Sequence, residues 1–221
     1  MRASQRLAGH FYDSKGEDTM RRISVLTMVA VVFCMLCALS PAGEAAGKAI
    51  AVVSVGPVDE ALVERVAAFA RGNTALRVSP ARKVECSETS LDAIGKKALE
   101  SLGEDEVVMV VLAWPDEAVE AHGWRLPESA VSVVNVRSLK TDGVTDEVFA
   151  RRVEKQTMLS IGMLLGMEAC PNPQCALWDY STLEELDSKG RNHCPPCLDR
   201  LQKKAVEKGV ELDLDSPFRM R

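Results

Sequence analysis

The sequence is poor in histidine and has no excess of basic residues. Only three of its 221 residues are histidine, which leaves little room for a histidine-rich metal site. Lysine and arginine number 27 against 32 acidic residues, for a formal charge of −5, and a chain without a basic face is a poor candidate for binding nucleic acid. Internal repeats are also absent, and the 47% hydrophobic content excludes wholesale disorder.

The first 45 residues have the features of an export signal. A pair of arginines at 21–22 precedes an apolar run at 23–39, and small residues follow that run. The run has 17 residues, which is close to the lower limit for crossing a bilayer. An uncleaved membrane anchor at 23–39 is therefore the alternative to a cleaved signal. We therefore expect an exported protein, periplasmic or extracellular, that contacts a membrane only through such an anchor.

Beyond residue 45, the apolar pattern alternates between strand-like and helix-like segments. The predicted strands are residues 49–55, 76–78, 106–114 and 130–136, and the predicted helices are residues 59–71, 90–102, 146–167 and 198–208. Such alternation is typical of a mixed β-sheet with helices on its faces. We expect one α/β (α+β) domain over residues 46–221.

Four of the seven cysteines lie close to one another near the end of the chain. Cys170 and Cys175 form one short pair, Cys194 and Cys197 form another, and both pairs enclose prolines. Two short cysteine pairs are the usual ligand set of a structural zinc ion. Two disulfides are the alternative, because an oxidising compartment favours them. Cys86 has no obvious partner and is expected to be a small, partly buried side chain.

The segment around these cysteines carries several motifs in a fixed order. Arg152-Val-Glu-Lys155 comes first, Cys170-Pro-Asn-Pro-Gln-Cys175 follows, and Asp187-Ser-Lys-Gly-Arg191 precedes Cys194-Pro-Pro-Cys197. In this order the motifs resemble those of the archaemetzincins, a family of metzincin-type zinc peptidases. The resemblance implies a metzincin-like fold and favours one structural zinc at Cys170, Cys175, Cys194 and Cys197.

The same resemblance shows that the catalytic motif is altered. The family binds a catalytic zinc with three histidines and uses a glutamate as general base, in the pattern H-E-x-x-H-x-x-G-x-x-H. The matching positions carry Leu159, Ser160, Met163 and Ala169. Leucine and alanine have no donor atom, and a thioether is a poor zinc ligand beside imidazole. We therefore expect no catalytic residue, no catalytic zinc and no other cofactor.

The substituted positions also predict the state of the former cleft. Leu159 and Met163 lie one helical turn apart and share a face. Gly166 keeps the glycine at which the family helix bends away, whereas Leu177 replaces the methionine beneath the metal. We expect the lost metal site to be filled by side chains or to be a dry apolar groove.

Three hypotheses of function follow. The first is an exported pseudopeptidase, a non-catalytic zinc-binding domain that binds an unknown protein or peptide. The second is an active zinc metallopeptidase or other hydrolase with a relocated site. Its candidate residues are His122, Glu168, Asp179, Tyr180 and His193. For His122 the simpler interpretation is a surface residue, and for His193 a residue beside the zinc or in a solvated loop. The third hypothesis is a disulfide-stabilised structural envelope protein.

Overall fold

The structure is a computed structural model that describes residues 47–125 and 128–213. The predicted export signal and the alternative anchor at 23–39 lie outside the described residues, and the domain boundary at residue 46 stays a prediction. Within the described ranges, no helix combines the length and apolar character that crossing a bilayer requires.

Five strands form one mixed sheet in the order β2-β1-β3-β5-β4. In chain order they are β1 (Ala49–Val55), β2 (Arg82–Lys83), β3 (Glu106–Ala113), β4 (Gly123–Arg125) and β5 (Val131–Asn135). The first four strands across the sheet run parallel, and β4 pairs antiparallel with β5 at one edge. The central strands are buried on both faces, which explains why their sequences are continuous apolar runs rather than alternating ones.

Helices cover both faces of this sheet. They are α1 (Glu60–Thr74), α2 (Leu91–Leu99), α3 (Val136–Leu139), α4 (Asp146–Leu164), α5 (Leu183–Ser188) and α6 (Pro195–Glu207). Helix α2 packs on one face against Ala51 and Val53, whereas α1 and α4 share the core of the other face with Ile50 and Val52. The mixed α/β fold predicted from the sequence is therefore confirmed.

Besides the short elements β4, α3 and α5, which the sequence did not predict, the structure differs from the predicted elements in several places. Residues 76–78 form only isolated bridges, and the edge strand beside β1 is β2 instead. Helix α4 ends at Leu164 rather than at residue 167, because Gly166 adopts a left-handed backbone with φ 83°. Helix α6 begins at Pro195, three residues earlier than predicted, since proline suits the first turn of a helix.

Candidate functional site

The four cysteines of the predicted zinc site lie together in the structure. Their Sγ atoms are all within 4.8 Å of one another, and those of Cys170 and Cys194 are 3.9 Å apart. A tetrahedron of sulfur atoms around zinc has edges of about 3.8 Å, given zinc–sulfur bonds of about 2.3 Å. The separation is much longer than a disulfide bond, and all four thiols are free. The donor set and its spacing therefore fit a structural zinc ion.

Backbone hydrogen bonds shape the loops that carry the thiols. The Cys170 N–H donates to Leu177 O at 2.9 Å, which closes the first loop. The Gly190 N–H donates to Pro173 O at 3.1 Å, and a side chain at Gly190 would collide with the backbone of Gln174. Cys194 is the N-cap residue of α6, so the second pair lies at the start of a helix. The glycine of the Asp187-Ser-Lys-Gly-Arg191 motif is thus required by the packing of the two loops.

The surroundings of the thiols shift their pKa values in both directions. Burial raises the pKa of Cys175 and raises that of Cys197 to about 12. Burial has the same tendency at Cys194, but hydrogen bonds from Cys197 and the neighbouring thiols outweigh it and lower the pKa. Arg200 Nη2 donates to Cys197 Sγ at 3.3 Å, and the Cys194 N–H donates to Cys175 Sγ at 3.4 Å. Such donors stabilise thiolates, which are the form that binds zinc.

Helix α4 carries the positions that match the catalytic motif. Leu159 and Met163 lie on one face and are half-buried, and Ala169, beyond the end of the helix, is exposed. Both apolar side chains are partly open to solvent, and the expectation of a filled site or a dry apolar groove stays a prediction. Gly166 ends the helix, and the Met167 N–H donates to Gly162 O at 2.9 Å, the bond of a Schellman motif.

Ser160, which the resemblance matches to the general base of the family, is buried. Ser160 is 4% exposed, and its hydroxyl is 3.1 Å from that of Ser132 on β5. Ser132 in turn donates to Trp124 O at 3.2 Å. This chain of hydrogen bonds joins α4 to the sheet.

Comparisons with known proteins agree with these features. The family model described as "Peptidase family M54" matches residues 123–203. The archaemetzincin of Natronomonas pharaonis is 36% identical over 73 residues, 30% of this chain and 42% of that protein. The archaemetzincin of Aeropyrum pernix is 32% identical over 79 residues, 36% of this chain and 42% of that protein. This chain is archaemetzincin-like.

Solved structures support the same fold. A crystal structure of an archaemetzincin from Methanopyrus kandleri has a TM-score of 0.60 and 20% identity, and covers 76% of this chain and 99% of that one. A zinc-dependent peptidase from Methanocorpusculum labreanum has a TM-score of 0.57 and 18% identity, and covers 69% of this chain and 99% of that one. By sequence, the matches span less than half the length of the archaemetzincins from N. pharaonis and A. pernix.

In this archaemetzincin-like fold, two of the five candidates for a relocated site lie together. The rings of His122 and Tyr180 stack with centroids 6.0 Å apart. Tyr180 Oη donates to Gln156 Oε1 at 2.5 Å, and His122 Nδ1 lies 3.0 Å from Ser138 Oγ. Burial raises the pKa of Tyr180 and lowers that of His122. Glu168 and Asp179, by contrast, are exposed and do not join this cluster.

His193 is not the solvated loop residue that the sequence allowed. It is 6% exposed, and neither ring nitrogen has a hydrogen-bond partner among the described residues. Burial, followed by the charge of Lys189, lowers the pKa of His193 to about 4, so the ring is neutral. The ring lies beside α4, where a Cβ placed on Gly162 would be 3.5 Å from Nε2. Its position beside Cys194 remains consistent with a packing role next to the metal.

Sequence reasoning missed Lys189, a buried cation in the middle of this region. It is 3% exposed, donates to Trp178 O at 2.6 Å and lies 5.1 Å from the centre of the Tyr180 ring. Burial lowers the pKa of Lys189 to about 8. The available signal is its place in the Asp187-Ser-Lys-Gly-Arg191 motif. By its hydrogen bond to Trp178 O, Lys189 fixes the segment that follows Cys175.

Two charged residues of the motif at 152–155 join α4 to the segment around Asp187. Arg152 makes a two-bond ion pair with Asp187, at 2.8 and 2.6 Å. Lys155 donates to the carbonyls of Leu186 and Asp187 at 2.9 and 2.6 Å. Both side chains are buried, and both bind the segment that leads back to Cys194 and Cys197. These contacts hold the motif that begins at Arg152 against the motif that begins at Asp187.

Proposed function

We propose that this archaemetzincin-like chain is an exported, non-catalytic zinc-binding protein that recognises a protein or peptide. The proposed recognition surface is the face of α4 that carries Leu159 and Met163. The observation that carries the proposal is that both side chains are apolar and half-exposed at positions where the family's peptidases need zinc ligands. Partly exposed aliphatic side chains suit contact with apolar side chains of a partner rather than activation of water.

The sheet edge beside α4 supports the same proposal. Strand β4 ends the sheet and pairs only with β5 among the described strands. Arg125 of β4 reaches across and donates from Nη1 to Met163 O at 3.1 Å, so the free edge and the apolar face are neighbours. An exposed edge presents unpaired N–H and C=O groups to which an extended peptide can add as a further strand.

The zinc in this proposal has a structural role. Cys170, Cys175, Cys194 and Cys197 would hold it, and it would supply folding free energy by fixing the loops between them. Leu177 lies in this region and packs against Gly162 of α4. The metal would therefore hold the floor of the recognition surface in place without contacting the bound peptide.

One set of experiments tests both parts of the proposal. Metal analysis of the purified chain should give one zinc per chain, and a peptide library should show no chelator-sensitive cleavage. A peptide array should show binding to extended apolar peptides, and Leu159→Lys or Met163→Lys should weaken that binding about tenfold or more. The matched control is Leu99→Lys, because Leu99 is an exposed leucine on the opposite face of the sheet. Cleavage that chelators abolish would overturn the proposal.

A further inference from the structure

The order of the strands places a crevice at one end of the sheet. The connection that leaves β1 passes through α1 to β2 on one side. The chain that leaves β3 runs to β4 and then to β5, both on the other side. The strands β1 and β3 are parallel neighbours, so their carboxyl ends meet at the same edge. In open α/β sheets, ligands bind at such a reversal of strand order, just outside the carboxyl ends.

A cavity of about 620 Å³ lies at this point. Its floor is apolar and consists of the buried residues Val136 and Phe149, and its walls include Leu62 and the half-buried Trp114. The volume is within the range of small-molecule sites, and an apolar lining with a few polar groups is their usual composition. The topology and the cavity are independent observations, and they agree on one location.

The rim of the cavity carries charges of both signs. Arg65 and Glu147 also line it, but they bind each other at 2.7 and 3.1 Å and so neutralise each other. Among the described residues, Asp59, Asp146 and Lys140 take part in no ion pair. Lys140 Nζ instead lies 5.3 Å from the centre of the Phe149 ring.

Two helices also begin at this rim. Asp59 is the N-cap residue of α1, and Asp146 is the first residue of α4. Both carboxylates therefore lie at the positive ends of helix dipoles and offset them, and Lys140 adds a positive charge to the same rim. A ligand with a single charge would meet repulsion from either the two carboxylates or Lys140.

We propose that this cavity binds a small apolar zwitterion, an amino acid or a dipeptide. The ammonium group of the ligand pairs with Asp59 and Asp146, and its carboxylate pairs with Lys140. Its side chain lies on the apolar floor, against Trp114 and Phe149. The site is separate from the proposed peptide-binding face, because Phe149 and Leu159 are ten positions apart on α4, which corresponds to about 15 Å along the helix.

Three probes of nearly equal shape test the charge requirement. L-phenylalanine carries both charges, phenethylamine carries only the positive one and 3-phenylpropionate carries only the negative one. Titrations of the full chain followed by NMR or by tryptophan fluorescence should show saturable binding of L-phenylalanine, about tenfold tighter than either other probe. No saturable binding of L-phenylalanine, or equally tight binding of a singly charged probe, would overturn the proposal.

Variants of the rim residues test which of them pairs with each charged group of the ligand. Asp59→Asn with Asp146→Asn should abolish the preference over 3-phenylpropionate, and asparagine at position 59 still caps α1. Lys140→Gln should abolish the preference over phenethylamine. Lys96→Gln, on the opposite face of the sheet, should change neither preference. Leu159→Lys should leave L-phenylalanine binding intact even where peptide binding is lost, and binding that ignores the rim variants would contradict the proposal.

Discussion

The side chain of Leu177 packs directly against Gly162, so that the loop between the two cysteine pairs touches the backbone of α4. A Cβ on Gly162 would collide with Leu177 Cδ2. Leu177 is fully buried. The close approach joins the helix that carries Leu159 and Met163 to the proposed metal centre.

We expect Gly162→Ala to destabilise the protein by about 1–3 kcal/mol, measured as the free energy of unfolding in urea. The sign is informative, because glycine to alanine within an unconstrained helix stabilises by about 1 kcal/mol. In a Leu177→Ala background the collision is removed, so the same change should become neutral or stabilising. Equal effects of Gly162→Ala in both backgrounds would show that the two residues do not constrain each other.

The four-cysteine cluster gives a second prediction. Cys170→Ser and Cys197→Ser should each lower the zinc content to near zero and cost more than about 4 kcal/mol of stability, because a structural metal contributes folding free energy directly. The measurements are metal analysis and thermal unfolding. Cys86→Ser is the matched control, since Cys86 lies outside the cluster, and it should change neither quantity.

A chelator separates zinc from disulfides at these positions. It should lower the Tm of the wild-type chain to that of Cys170→Ser and should leave the Tm of the variant unchanged. A reductant alone should have no effect. The opposite pattern, sensitivity to reductant and indifference to chelator, would favour the disulfide-stabilised structural protein.

The ion pair between Glu106 and Arg82 predicts a dependence of stability on pH. The two side chains bond at 2.6 and 2.7 Å, and Glu106 also accepts the Gly103 N–H at 2.9 Å. Burial acts to raise the pKa of Glu106, but these hydrogen bonds outweigh burial and hold the pKa below its usual value of 4.5. The stabilisation is therefore complete above about pH 4.5 and is lost as the pH falls through the lower pKa of the folded state.

Replacement of the carboxylate should remove this dependence. We expect Glu106→Gln to cost about 1 kcal/mol at pH 7 and to flatten the fall of unfolding free energy below pH 4.5. The exposed neighbour Glu104 makes no ion pair among the described residues, so Glu104→Gln serves as the control. An unchanged slope in Glu106→Gln would mean that other carboxyl groups cause the acid sensitivity.

Features set by local sequence could be predicted. The strand at 49–55 has its observed bounds because a seven-residue apolar run leaves no other way to bury both faces. The cysteine cluster could be predicted because two short pairs, each enclosing prolines, restrict where the sulfur atoms lie. In both cases the information lies within a few neighbouring residues.

Features set by tertiary contacts could not be predicted from the sequence. Strand β4 has three residues, and only its pairing with β5, as of Gly123 with Val134, makes it a strand. The burial of Lys189 depends on Trp178 O and the Tyr180 ring, which reach it through the fold of the loops. Likewise, the partial exposure of Leu159 depends on how the rest of the chain packs around α4, and no local pattern encodes that packing.

Restoring the residues of the catalytic motif should not restore a peptidase. We expect a chain with Leu159→His, Ser160→Glu, Met163→His and Ala169→His to show no chelator-sensitive cleavage of a peptide library and to bind no second equivalent of zinc. Ser160 is buried and bonded to Ser132, so a glutamate there would place a longer, charged side chain into a filled space. Ala169 is exposed, and a histidine there would lack the partners that orient a metal ligand.

Making the four substitutions separately shows which of them prevents the return of activity. The three histidines without Ser160→Glu should cost little stability, because their positions are half-buried or exposed. Ser160→Glu alone should cost about 2 kcal/mol or more in urea unfolding, whereas Ser160→Ala should cost about 1 kcal/mol from the lost hydrogen bond. Full peptidase activity in the fourfold variant, at wild-type stability, would show that the cleft retained the shape and partners of an active site.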